Sequence, residues 1–120
     1  QHYLLDERVG DEGYHVRFPF VKRRSSEDRP TQAIKALHLD RKNPTDILRH
    51  ADDWRSVVQR LREYGTVPDD LLFVLQGPLG GEASHVRAFD QVRRDLDESA
   101  IPHVSAGATA EILAFAHRLA

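Results

Sequence analysis

The sequence predicts one α/β domain with a mixed sheet, an N-terminal antiparallel meander of three strands followed by α-β-α-β-α, with helices on both faces. Three observations carry this expectation. The first third of the chain alternates apolar and polar residues without helical spacing. Residues 44–64 then carry the longest and best-patterned helical face, and Leu71-Leu72-Phe73-Val74-Leu75 is an unbroken apolar run of strand length between two helical patterns. With 120 residues the chain can build one core and hardly two, so residues 1–120 are read as a single domain.

Each element has its own signal. His2 to Leu5 reads as an edge strand, and Asp6 to Gly13, with Gly10 and Gly13, reads as a hairpin loop. Tyr14 to Val21 alternates, with Tyr14, Val16, Phe18 and Phe20 on one face and His15 and Arg17 on the other. Pro19 suits an edge or a bulge, because its nitrogen has no hydrogen to donate. After the polar stretch Lys22 to Pro30, the next strand runs from Thr31 to Leu39, with Ala33, Lys35, Leu37 and Leu39 on one face.

The long helix places Ile47, Leu48, Ala51, Trp54, Val57, Val58, Leu61 and Tyr64 on one stripe. Pro44 and Thr45 suit its start, and Gly65 suits the left-handed residue past its end. Beyond the apolar run and the loop Gln76 to Gly81, a second helix is expected over Glu82 to Ser99 with Val86, Phe89, Val92 and Leu96 inward. A short strand at Ile101 to Val104 and a closing helix from Ala108 to Ala120, with Ile112, Phe115, Ala116 and Leu119 inward, complete the order. Strands separated by helices should add in parallel through right-handed crossovers.

Composition narrows the function classes. Apolar content of 40% and charged content of 30% mark an ordinary globule, and the net charge of -2 offers no general attraction to nucleic acid or anionic membrane. No apolar run approaches the ~20 residues of a bilayer span, so no membrane partner is expected. The absence of cysteine excludes disulfides, thiolate metal sites and a Cys nucleophile. The cytoplasm is the default expectation. The chain begins at Gln1 and holds no methionine, which reads as a processed chain or a domain excised from a longer one with a protein partner or a further domain.

Candidate chemistry gathers around one expected register. If the second and third strands pair so that His15 stands opposite His38, then Lys42 falls beside Asp11 and Asp40 beside Gly13. Asp11, His15, Arg17, His38, Asp40 and Lys42 would then share a side, which as a plain reading is a polar sheet end wetted by solvent. As a functional reading, Asp11 or Glu12 with Asp40 would hold Mg²⁺ through carboxylate oxygens, and Lys42 would steady an attacked phosphate. His15 and His38 form a second candidate pair, for a transition metal or acid–base work. Lys22, Arg23 and Arg24 form a small basic tip that could touch nucleic-acid phosphates, although Glu27 and Asp28 offset it. The glycine loop Gln76 to Gly81 lies where α/β sheets hold ligands, but it matches neither the dinucleotide nor the Walker pattern.

The order Asp11 or Glu12, then Asp40-Arg41-Lys42, then a helix from Thr45 resembles the PD-(D/E)xK, or restriction-endonuclease-like, nuclease superfamily over about residues 11–75. Those proteins carry an acid at the start of one strand and a (D/E)-x-K triplet near the end of the next. The resemblance implies metal-dependent hydrolysis of DNA or RNA phosphodiesters, with Asp40 and Lys42 catalytic and Asp11, Glu12 and Asp40 holding Mg²⁺. This chain departs from the pattern in having no proline before Asp11 and in placing Asp11 in a loop. Two other readings stand beside it: a non-catalytic interaction or regulatory module of the same fold, and a small-ligand or nucleotide-binding domain using the 76–81 loop.

Overall fold

The computed structural model describes residues 3–23, 30–78 and 80–117. Its elements are β1 (Tyr3–Gly10), β2 (His15–Lys22), β3 (Gln32–His38), α1 (Pro44–Glu63), β4 (Asp70–Gln76), α2 (Ala83–Glu98), β5 (His103–Ser105) and α3 (Thr109–His117). They form one five-stranded sheet in the order β1-β2-β3-β4-β5. The first three strands are antiparallel, and β3, β4 and β5 run parallel. The expected α/β class and mixed sheet are therefore present. Among the described residues no helix is long and apolar enough to cross a membrane.

The helices divide between the two faces. Trp54 on α1 meets Phe18 of β2 and Phe73 of β4 edge-on, at centroid distances of 5.5 and 6.5 Å. His103 of β5, which stands level with Phe73, bonds Asp97 of α2, so α2 covers this face as well. The opposite face carries α3. There the Gln32 amide donates to the Phe115 carbonyl at 2.9 Å, and the Lys22 ammonium donates to the Ala116 carbonyl at 2.8 Å. These side chains satisfy carbonyls of the last helical turn, which have no partner within the helix. Tyr3 completes the patch, with its hydroxyl 2.7 Å from Gln32 Oε1 and its ring 5.0 Å from Lys22 Nζ.

The two halves of the β1–β2 hairpin behave differently. Phe20 stands opposite Ile34 and Val21 opposite Ala33, one residue away from the register expected from sequence, and the β2–β3 pairing is confined to residues 20–22 and 32–34. Phe18 and Val21 are both fully buried. Phe18 touches Trp54 and Val21 is level with Ala33, so both face α1 although they are three residues apart. The strand's alternation is thus broken between them, at Pro19. Opposite Pro19 lies Asp6, whose φ of 52° is left-handed. Phe20 turns to the other face and is 42% exposed, which corrects the expectation that it lies beside Phe18.

Past this break the hairpin leaves the sheet and follows α1. Phe18 meets Trp54 midway along the helix, and Tyr14 meets Tyr64, just past its end, with centroids 6.0 Å apart. The hairpin tip is pressed so close that a β-carbon on Gly13 would lie 2.9 Å from the Tyr64 ring. Residues 6–10, expected as loop, belong to β1, and residues 7–10 pair with His15 to Phe18.

The remaining boundaries lie close to expectation. On α1 the buried side chains are Ile47, Ala51, Val58 and Leu61, while Tyr64 is exposed at the hairpin tip. On α2 the inward residues are Ala88, Val92 and Leu96, and Val86 is exposed. On α3 Phe115 is buried; Leu119 lies outside the described residues.

The left-handed Asp6 backbone yields a direct test. Replacing Asp6 by Gly should leave stability unchanged or raised, since glycine adopts this conformation freely. Asp6→Val should lower stability by about 1–2 kcal/mol, because a β-branched residue is crowded there. Urea melts followed by circular dichroism measure both, and equal stability of the two variants would contradict the described turn.

Candidate functional site

The acids expected to share a metal ion are held apart. Asp11 sits in the β1–β2 turn beside the end of α1, where its carboxylate accepts the Gly13 and Tyr14 backbone N–H groups at 2.9 and 3.1 Å. This is a turn-forming role for a short acidic side chain. Asp40, Arg41 and Lys42 lie at the other end of the helix, just ahead of its N-cap Asn43. A helix of 20 residues is about 30 Å long, and that length separates Asp11 and Glu12 from Asp40. Among the described residues, no group of three His, Asp or Glu side chains could hold a metal ion. The residues present therefore do not fit the Mg²⁺ site that the resemblance implies.

The other expected groups are dispersed for the same reason. His15 Nδ1 lies 3.2 Å from the Asp11 carbonyl at the hairpin tip, whereas His38 Nδ1 lies 2.7 Å from Gln76 Oε1 at the end of β4. Lys22, expected to meet phosphate, is 4% exposed and ties down α3. Arg23 donates to the Arg8 carbonyl at 2.8 Å, and Arg24 lies outside the described residues. Lys42 is exposed, and its carbonyl lies 2.9 Å from His85 Nε2.

A different cluster forms where the hairpin departs. Beyond Ile34, β3 pairs with β4 and no longer with β2. Lys35, the first residue past that point, lies on the α1 face level with Phe73. Its ammonium sits 4.4 Å from the Trp54 ring centroid, and no carboxylate among the described residues forms an ion pair with it. The aromatic face offers a partial substitute for lost water. Burial pushes the Lys35 amine below its ordinary range.

The charges of Lys35 and Arg41 both act on a neighbouring histidine, His50. His50 lies one helical turn before Trp54, half-buried. Its pKa is lowered first by burial, then by the charges of Arg41 and Lys35, with His38 adding in the same sense and Asp53 opposing. Arg41 is steered by its Nε–H, which donates to the His38 carbonyl at 2.8 Å. Among the charges acting on His50, those of Arg41 and Lys35 come first and Asp53 is the acid that opposes them. Such an arrangement is costly without a ligand and suits an anion that accepts hydrogen bonds from several cations at once.

The sequence reading placed Lys35 with Ala33, Leu37 and Leu39 on one strand face. A lone cation on an otherwise apolar face is the signal that marks this site. The Asp40-Arg41-Lys42 triplet lies after β3 and not on it.

Two measurements check the electrostatics. The ordinary pKa of histidine, 6.5, is the higher value for His50, so the unfolded chain takes up this proton before the folded one does. The stabilising effect of a neutral His50 is complete above that pH and lost as pH falls through the lower folded value. His50→Asn should therefore reduce the fall in the urea midpoint between about pH 7.5 and pH 5.5. Lys35→Met should raise stability and move the His50 pKa upward in an NMR titration. No protein-family model, no curated protein and no solved structure matches this chain.

Proposed function

We propose that this domain is a non-catalytic module that binds a phosphate-bearing ligand at Lys35, Arg41 and His50. The observation that carries the proposal is the half-buried Lys35 ammonium, held over Trp54 and repelling a charge on His50 without a paired carboxylate among the described residues. Phosphate supplies what the cluster lacks: two negative charges and oxygens that accept from several donors.

The resemblance to restriction-endonuclease-like domains gives this reading a context. If a (D/E)-x-K frame is sought on β3 itself, its lysine is Lys35 and the position two residues earlier is Ala33. The amine is then kept and the acid is replaced by a methyl group. Asp11 and Glu12 lie at the far end of α1, so the metal donors of a hydrolytic site are not gathered around this lysine. Binding without cleavage is the function that this combination supports.

Calorimetric titration with pyrophosphate and with a short oligonucleotide, in wild-type protein and Lys35→Met, tests the proposal. Loss of one charge-assisted hydrogen-bond donor is worth about 1.5–3 kcal/mol, so affinity should fall roughly ten- to a hundredfold. The oligonucleotide should remain intact with Mg²⁺ or Mn²⁺ present. Metal-dependent cleavage that disappears in Asp40→Ala or Lys42→Ala would overturn the proposal and restore the hydrolytic reading.

A further inference from the structure

β5 forms one edge of the sheet, with β4 on its inner side and no strand outside it among the described residues. The Pro102 carbonyl accepts from the Phe73 N–H at 3.0 Å, and the Ala106 N–H donates to the Leu75 carbonyl at 2.9 Å. Residues 102, 104 and 106 therefore bond toward β4, since alternate residues of a parallel strand share one direction. The intervening residues face the other way. The N–H and C=O of His103 and the N–H of Ser105 are directed to the open edge, while the Ser105 carbonyl is taken by the Ala108 N–H. Such an edge is a template for an added strand.

Three hollows border this edge, and each shares lining residues with the next. The first, about 530 Å³, lies beside Ser105 and is walled by Val86, Phe89 and Arg93 of α2. The second, about 250 Å³, shares Asp90 and Arg93 with it and reaches Asp97. The third, about 460 Å³, takes in Asp97 and His103 and ends on Glu111 and Phe115 of α3. Together they make a groove along one stripe of α2, whose lining residues recur at three-and-four spacing.

The two ends of the groove differ in chemistry. Beside the carboxyl end of β5 the Phe89 ring is held from two sides. A β-carbon on Gly77 would lie 3.2 Å from two of its carbons, and the Arg93 guanidinium carbon lies 5.9 Å from its centroid. Val86, 41% exposed, extends this apolar wall toward solvent. At the other end stand two acids. Glu111 has no partner among the described residues, and Asp97 meets His103 Nε2 at 2.8 Å through one of its two carboxylate oxygens. The middle is balanced, because Arg93 pairs with Asp90 at 3.5 Å.

Spacing then selects the occupant. Phe89 and Asp97 are separated by eight positions on α2, a rise of about 12 Å. Side chains four residues apart on an extended chain are about 13 Å apart and point to the same side. A three-residue edge cannot template an open-ended ladder, so the end hollows decide what binds. We propose that the β5 edge captures an extended peptide as an added strand. The peptide carries an apolar side chain against Phe89 and, four residues later, a lysine or arginine at Asp97 and Glu111. Antiparallel pairing, the more stable kind, sets this order, because β5 runs from the acidic end toward Phe89. No residue of the anion site takes part.

NMR titration of the intact chain with the acetylated and amidated peptide Thr-Leu-Thr-Thr-Thr-Lys-Thr tests this. The amide signals of His103 and Ser105 should shift at millimolar peptide. Changing the peptide's lysine to glutamate, or Glu111→Lys in the protein, should weaken binding roughly threefold or more, as loss of an exposed ion pair does. Methylating the backbone nitrogens of the central threonine and the lysine should abolish binding, since those N–H groups face β5. Lys35→Met should bind the peptide unchanged, so either site can fail while the other stands. The proposal is overturned if the β5 signals do not shift, if they shift equally with the methylated peptide, or if the lysine and glutamate peptides bind alike.

Discussion

The break in strand alternation at Pro19, opposite the left-handed Asp6, is the constraint on which the rest of the structure depends. Below it the β1–β2 hairpin is ordinary sheet. Above it the hairpin crosses onto α1, and three features follow together. Phe18 reaches Trp54, which in turn meets Phe73, so strand, helix and central strand are locked through aromatic edges. The hairpin tip is carried to Tyr64, far from the end of β3. Residues 35–38 of β3 are left paired on the β4 side only. A continuous flat hairpin would have placed Asp11 near Asp40 and covered Lys35.

Much of this architecture is legible in the sequence because the physics that determines it is local. The three-and-four spacing from Ile47 to Leu61 marks α1, and the apolar run from Leu71 to Leu75 marks a strand covered on both faces. Short polar loops between the first strands and helices between the later ones set antiparallel and then parallel pairing. The register of β2 against β3 is not legible in that way. It depends on a turn at Asp6 that no glycine announces, and a one-residue slip transfers every side chain to the other face. The proximity expected between Asp11 and Asp40 rests on this register.

The roles of charged residues are less legible, because they depend on partners distant in the chain. Lys22 opens a run of basic residues that looks like a solvent-facing tip, yet its ammonium is buried against the last carbonyls of α3. Only the placement of α3 gives it that role, and α3 lies 94 residues further along the chain at the bonded position. Lys35 is the reverse case: its position on an apolar strand face is visible in the sequence, but its meaning depends on whether a carboxylate meets it in space. Burial lowers the Lys35 pKa, and the charges of Lys35 and Arg41 both act on His50 of α1. Repulsion within this group and partial burial lower the stability of the free protein, and a bound anion offsets both.

The single tryptophan of the chain makes this claim directly observable, since Trp54 is the aromatic face beneath the Lys35 ammonium. Intrinsic fluorescence recorded during titration with pyrophosphate reports that contact and no other indole. The account predicts a saturable change in Trp54 emission that disappears when Lys35 is replaced by methionine. An emission that does not respond, or that responds equally in the variant, would contradict an anion site built on Lys35.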